Sequence, residues 1–193
     1  MKSWNTKALT KDVNAFWFGE PGSREYGEFR AQWFTQDADF DQDIQDRFSG
    51  AIEAAGRGEL KAMTSSPEGA VALLVLLDQF TRNAHRGSGQ MYANDEYAIQ
   101  IADEAIVKGF DLKVIDVMRQ FFYLPYEHSE NIGRQNCSVE LFEQLGNKEA
   151  LKWAVAHRDI VERFGRFPHR NALLGRKSTP EEIEFLKEAG SSF

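Results

Sequence analysis

Apolar residues along this chain recur with the period of α-helices, and no stretch alternates in the manner of a half-buried strand. Between residues 41 and 60, Ile44, Phe48, Ile52 and Ala55 share one face while acids and Arg47 occupy the other, which predicts an amphipathic helix. Ser66-Pro67-Glu68 then reads as a helix start, with Ser as N-cap and Pro at the first helical position. The helix it opens, GAVALLVLLDQF, is apolar on every side and is predicted to be the central, fully buried one. Asp78 interrupts it on the face of Val71 and Val75, and Arg82 follows in register to pair with it. With His85 and Arg86 before Gly87-Ser88-Gly89, that pair reads either as a helix-end ion pair or as the crown of a polar pocket.

The flanking segments follow the same period. Residues 7–19 and 24–35 read as two short helices joined by Gly19-Glu20-Pro21-Gly22, dense in aromatics from Phe16 to Phe34. Such rings are expected to form core or helix-contact surface, with an aromatic ligand platform as the alternative. Asn94-Asp95 is expected to cap a helix stopped by Gly109, and Asp111 to start the next, which Pro125 kinks or ends. That irregularity presents Glu127, His128 and Glu130 together. Ser138 is read as the cap of a short helix through Leu145, and Asn147 as the cap of a long one from there to Phe164. On the long helix Trp153, His157, Ile160 and Phe164 form one stripe, so His157 faces inward. Thr179-Pro180-Glu181-Glu182 is a capping-box start for a last helix reaching Phe193.

These elements predict an all-α single domain over residues 1–193, with about eight to ten mostly antiparallel helices. The tetratricopeptide pattern of about 34 residues is not legible, but the helix lengths suit a solenoid-like stack.

Composition narrows the class. The chain has 193 residues, 42% of them apolar, and net charge −7, which suits a soluble domain and argues against nucleic acid or anionic membrane as partners of its whole surface. Cys137 is the single cysteine, so no internal disulfide is possible and a reducing compartment is expected. The longest apolar run, Gly69 to Leu77, is nine residues, against the roughly 20 needed to cross a bilayer. MKSWNTKALTKD lacks the apolar core of a signal peptide. A cytoplasmic protein is the reading by elimination. No HExxH, cysteine cluster, phosphate-binding glycine loop or dinucleotide fingerprint occurs, so neither a metal nor a cofactor is expected. Cys137 beside a helix start would have a stabilised thiolate, but no motif pairs it with a base.

One charge feature stands out. From His157 to Lys177 lie Arg158, Arg163, Arg166, Arg170, Arg176 and Lys177 against Asp159 and Glu162, a local +4 inside a chain of −7. Arginine forks match carboxylates and phosphates. Asp78, Arg82, Arg86, Glu127, Arg158, His169, Arg170 and Asn171 are therefore candidate lining for a pocket that takes a small anionic molecule or a peptide carboxylate. The same residue types equally make a structural ion-pair network. As a hydrolase or transferase, the chain would use His157 or His128 as acid or base, oriented by Glu127, Glu130 or Asp159. His157, His128 and Glu130 are the candidate catalytic set. A helical scaffold that binds a protein through a concave surface is the third reading.

Taken together in this order, LLDQFTRNAHRG, FFYLPYEHSE and FGRFPHRNALLGRKSTPEE, with the early FDQDIQDRF, resemble the bacterial family known as domain of unknown function 924. The resemblance covers nearly the whole chain. It implies a tetratricopeptide-like helical fold and transfers no activity. This chain departs from the family at Thr81, where the pattern has proline, which leaves the exit from the buried helix less rigidly set.

Overall fold

The structure is a computed structural model that describes residues 4–192. Phe193, the expected end of the last helix, and the first three residues lie outside the described residues. All regular structure among the described residues is helical: α1 (Thr6–Phe18), α2 (Ala38–Gly56), α3 (Pro67–Leu74), α4 (Thr81–Ala84), α5 (Asp95–Val107), α6 (Asp116–Glu127), α7 (Ile132–Leu145), α8 (Lys148–Phe164) and α9 (Pro180–Phe185). The chain divides into two units, residues 1–86 with 90–125 and residues 87–89 with 126–193.

In the first unit the all-apolar stretch is the centre, as its pattern predicts. Ser66 Oγ accepts the Gly69 N–H at 3.1 Å, Pro67 opens α3, and every residue from 69 to 80 is buried. Helices α1 and α5 pack on α3, and α2 packs along the continuation through Val75–Phe80 into α4. Residues Val75–Phe80 form a π-helical turn, which no apolar periodicity announces. The extra residue per turn places Asp78 and Gln79 inside the fold, at 2% and 5% exposure. Thr81 secures the exit from this turn, its hydroxyl donating to Leu76 O at 3.0 Å and accepting from Asn94 Nδ2 at 3.0 Å.

Of the early aromatics Trp17, Phe18 and Trp33 are core, whereas Phe29 and Phe34 are exposed. Trp17 lies 5.3 Å from Phe80 and 5.8 Å from Trp33 between ring centroids, and Phe18 lies 5.2 Å from Phe121. The expected helix over 24–35 is corrected: the segment folds as turns with a 3-10 turn at Ala31–Trp33. Gly27 sits at φ +80°, a region a continuing α-helix cannot use. The segment is held instead by Trp33 Nε1 donating to Trp17 O at 3.1 Å. The α5 start lies where expected, after Asn94, but without the capping bond, and the Asp111 start moves. Asn94 makes no side-chain cap to α5, its amide being committed to Thr81. Asp111 lies in a 3-10 turn ahead of α6, where it accepts from the Tyr123 hydroxyl at 2.7 Å.

In the second unit α7 and α8 form a hairpin. Gly146, left-handed at φ 77°, ends α7, and Asn147 Oδ1 accepts the Glu149 and Ala150 N–H groups at 3.1 Å to start α8. So short a link between packed helices makes them antiparallel. The expected start at Ser138 is corrected: Asn131 Oδ1 accepts the Arg134 N–H at 3.1 Å, so α7 begins seven residues earlier and Ser138 lies mid-helix, fully buried. Cys137 is therefore exposed in a helix interior, away from the dipole that would stabilise a thiolate. Pro125 sits inside α6, which runs only to Glu127. The capping box at α9 is as expected, with Glu182 Oε2 accepting the Thr179 N–H at 2.7 Å and Thr179 Oγ1 accepting the Glu182 N–H at 3.2 Å.

Candidate anion-binding site

The candidate residues fall into two sets, each described within its own unit. In the first unit Arg82 is committed to carboxylates. Its fork meets Asp95 through two parallel bonds of 2.8 and 3.0 Å, and Nη1 lies 2.8 Å from Asp78 Oδ1. Burial by itself would lower the Arg82 pKa, but Asp78 and Asp95 outweigh it and raise it, so the guanidinium stays charged throughout. Arg86 pairs with Asp41, which also accepts from Asn83 Nδ2 at 2.6 Å. A cavity of about 180 Å³ does open beside this helix end. His85, Thr81, Gln90 and Asn94 help line it; Arg82 and Arg86 do not.

The second set converges on one ring. Phe167, fully buried, has the Arg170 guanidinium 4.4 Å from its centroid, the His157 ring at 5.6 Å and the His169 ring at 5.6 Å. His128 lies 6.2 Å from His157. Arg170 is only 6% exposed, an unusual depth for a cation. Three elements place these groups: the end of α6 supplies Glu127 and the following residue His128, the inward face of α8 supplies His157, and a 3-10 turn at Pro168–Arg170 supplies His169 and Arg170.

Local bonds fix the cluster. Glu130 accepts the Phe167 N–H at 2.8 Å and both Arg176 nitrogens at 2.6 and 2.8 Å. Its partial burial would raise its pKa, but Arg176, the Phe167 N–H and Arg170 bring it below the ordinary carboxylate value. In this arrangement Glu130, one of the candidate catalytic set, acts as a tether for the loop carrying Phe167. His157 Nδ1 lies 2.9 Å from Trp153 O and 3.3 Å from Glu127 Oε1. Both are acceptors, which assigns the proton to Nδ1 and the lone pair to Nε2. Burial first, then His128, push the His157 pKa down to about 3 against the pull of the Trp153 carbonyl. The ring is neutral at pH 7, and its contact with Glu127 is a hydrogen bond and not an ion pair. His169 is likewise lowered to about 4, by burial and then by Arg170, with Glu130 opposing.

The remaining candidates lie elsewhere in this unit. Arg158 folds onto Asp159 at 2.7 Å on the exposed side of α8. Asn171 is buried beside the α9 cap, donating to Ser178 Oγ at 3.0 Å and Glu182 Oε2 at 3.3 Å. Glu182 is pulled to about 2, chiefly by Arg166. Trp153 is 44% exposed; the inward face of α8 is Ala154, His157, Ile160 and Val161, so Trp153 sits at its rim.

Gln135, Arg176 and Ser138 belong to this region without having been candidates. Gln135 Nε2 reaches Glu127 O at 2.7 Å and Ser129 O at 2.6 Å, so it satisfies the carbonyls that the end of α6 leaves without helical partners. Gln135, Ser138 and Phe142 are the buried positions of α7, a stripe at i, i+3 and i+7 that periodicity reveals once the helix start is moved to Asn131. Arg176 sits in the basic run, but its partner Glu130 is 46 residues away. No group of three or more His, Cys, Asp or Glu side chains among the described residues is arranged to hold a metal ion. Nor is any described helix long and apolar enough to cross a membrane.

With the geometry in place, comparison with known proteins adds a family. The model for a bacterial protein of unknown function, DUF924, matches residues 13–190. The chain belongs to that family. This DUF924 chain is also similar to a solved structure, that of the protein of unknown function ATU0120 from Agrobacterium tumefaciens. The two share 45% sequence identity and a TM-score of 0.86, over 96% of this chain and all of the other. No curated protein matches.

Proposed function

We propose that this DUF924 protein binds a small anion, either a carboxylate-bearing metabolite or the carboxylate of a peptide terminus, at the cluster around Phe167. The observation that carries the reading is Arg170, buried to 6% exposure and stacked on Phe167 at 4.4 Å among His157, His169 and His128. A guanidinium seated on a ring in a poorly hydrated place is pre-organised for bidentate contact with a carboxylate or phosphate. Its burial and its seat on the Phe167 ring make Arg170 the anchor in this reading. The same proposal treats the α7–α8 hairpin as part of a tetratricopeptide-like stack and places the protein in the cytoplasm, where exposed Cys137 stays a thiol.

A panel of mono- and dicarboxylates tests it by thermal shift. At least one should raise the melting temperature of the wild type and leave Arg170→Met unmoved, with Arg170→Lys intermediate. Equal stabilisation of wild type and Arg170→Met rejects Arg170 as the anchor.

One observation favours a second reading, hydrolysis or group transfer on an anionic substrate. Glu127 Oε1 at 3.3 Å from His157 Nδ1 orients the imidazole as a carboxylate–histidine pair does in a general base. His157→Asn, which keeps a donor near the Nδ1 position, should then abolish turnover of an anionic ester while circular dichroism stays native. Retained turnover removes His157 from that role.

A further inference from the structure

The cavity of about 180 Å³ at the end of α4 is built by the first unit alone, between the last turn of α2 and the start of α5. One water needs only about 10–15 Å³, so the space suits a compact molecule. Ile52, Gly56 and Ala93 give it an apolar wall, while Thr81, His85 and Asn94 add polar groups. Arg57 also lines it, but that guanidinium is met by Glu53 at 3.6 Å and Glu59 at 2.8 Å. The lining therefore has no spare positive charge to offer an anion.

Two hydrogen bonds fix the Asn94 amide. Thr81 Oγ1 spends its one proton on Leu76 O at 3.0 Å, so it can only accept from Asn94, whose Nδ2 lies 3.0 Å away. That bond decides which end of the amide is nitrogen, and it leaves Asn94 with one N–H and with Oδ1. Among the described residues no group donates to Oδ1. Oδ1 rests close on Gly56, where an added Cβ would lie 2.7 Å from it. The half-buried His85 imidazole makes no side-chain hydrogen bond among the described residues. A donor and an acceptor side by side on Asn94 match the edge of another amide, and a neutral imidazole adds one further donor or acceptor. We propose that this cavity is a binding site for a small uncharged molecule with a carboxamide or lactam edge. That edge pairs with Asn94 and bonds His85, and the body of the ligand lies against Ile52 and Ala93. The site is independent of the anion-binding reading: it lies in the other unit and uses none of the same residues.

Benzamide and 2-pyridone are suitable probes, and benzoate, the anionic counterpart of benzamide, is the control. The full chain is followed by NMR through the Asn94 side-chain amide and His85 ring signals as each probe is added. At least one neutral probe should shift both sets of signals saturably, with a dissociation constant of about 1–10 mM, as suits a ligand of so few atoms. Benzoate should bind about fivefold more weakly or not at all, because its carboxylate cannot donate to Asn94 Oδ1. Gly56→Ala, which favours the α2 helix but presses on the amide, should weaken the neutral probe by about fivefold or more, and His85→Ala should do the same. Circular dichroism checks both folds, and His85→Ala at its half-buried position carries the test if Gly56→Ala does not fold. The proposal is overturned if neither neutral probe shifts these signals, if benzoate binds as tightly as benzamide, or if the folded variants bind as the wild type does.

Discussion

His157, with His169 beside it, makes the stability of the second unit depend on pH in a window above that of the carboxylates. In the folded chain its pKa is lowered from 6.5 to about 3, mainly by burial. The unfolded chain therefore binds a proton that the folded chain refuses, and stability falls as pH drops below 6.5 toward 3. Carboxylates with lowered values, Glu130 and Glu182, act in the same direction only once pH falls through their unfolded value near 4.5. Between pH 6.5 and pH 4.5 the loss belongs to the histidines. At 1.36 kcal/mol per unit, His157 accounts for about 2–3 kcal/mol over those two units, and His169 adds a similar slope. His157→Asn removes one proton's share. The variant loses packing on Phe167 and is less stable at pH 7, by about 1–3 kcal/mol. Its deficit against wild type should then shrink by about 2 kcal/mol on going to pH 4.5. Urea unfolding followed by circular dichroism at half-unit pH steps measures this directly. Parallel curves for wild type and His157→Asn would show that the ring is not held neutral, and the electrostatic account of the cluster would fall.

Arg82→Met leaves Asp78 and Asp95 without their shared cation inside the first unit, and should cost about 3–5 kcal/mol, with part of the loss recovered at low pH as the carboxylates protonate; a cost below 1 kcal/mol would show the triad is not a structural tie. Gly69→Ala raises intrinsic helix propensity by about 1 kcal/mol, yet an added Cβ would lie 2.2 Å from the Met63 carbonyl oxygen. Denaturant unfolding should find it destabilised by about 2 kcal/mol or more, and a stabilised variant would contradict the close approach.

How much of this was legible in the sequence depends on whether the signal was local. Helix starts that rest on a side chain bonding its own first turn, at Ser66, Asn147 and Thr179, were readable because cap and capped group are neighbours. The start at Ser138 misled for the converse reason, and at Asn94 the start was right but its capping bond was not. Asn94 answers to Thr81, thirteen residues away, and Ser138 was spent on a buried stripe whose real cap, Asn131, lay hidden in a polar segment. The helix over 24–35 failed because Gly27 at positive φ and the bond from Trp33 to the distant Trp17 carbonyl outweighed periodicity. The π-helical turn has no sequence period of its own, so the burial of Asp78 and Gln79 was visible only as a polar break in an apolar run. For the site, the basic run at 157–177 pointed to the right segment, and inward-facing His157 to the right helix face. It could not single out Arg170 as the arginine that is buried and stacked on Phe167.

Anion binding around Phe167 is tested most directly by anomalous diffraction from a crystal soaked in selenate, the heavier analogue of sulfate. The account predicts an anomalous peak within hydrogen-bonding reach of the Arg170 guanidinium and an imidazole of His128, His157 or His169, absent from Arg170→Met. A cluster that stays without such a peak while selenate occupies other arginines of the same molecule would contradict it.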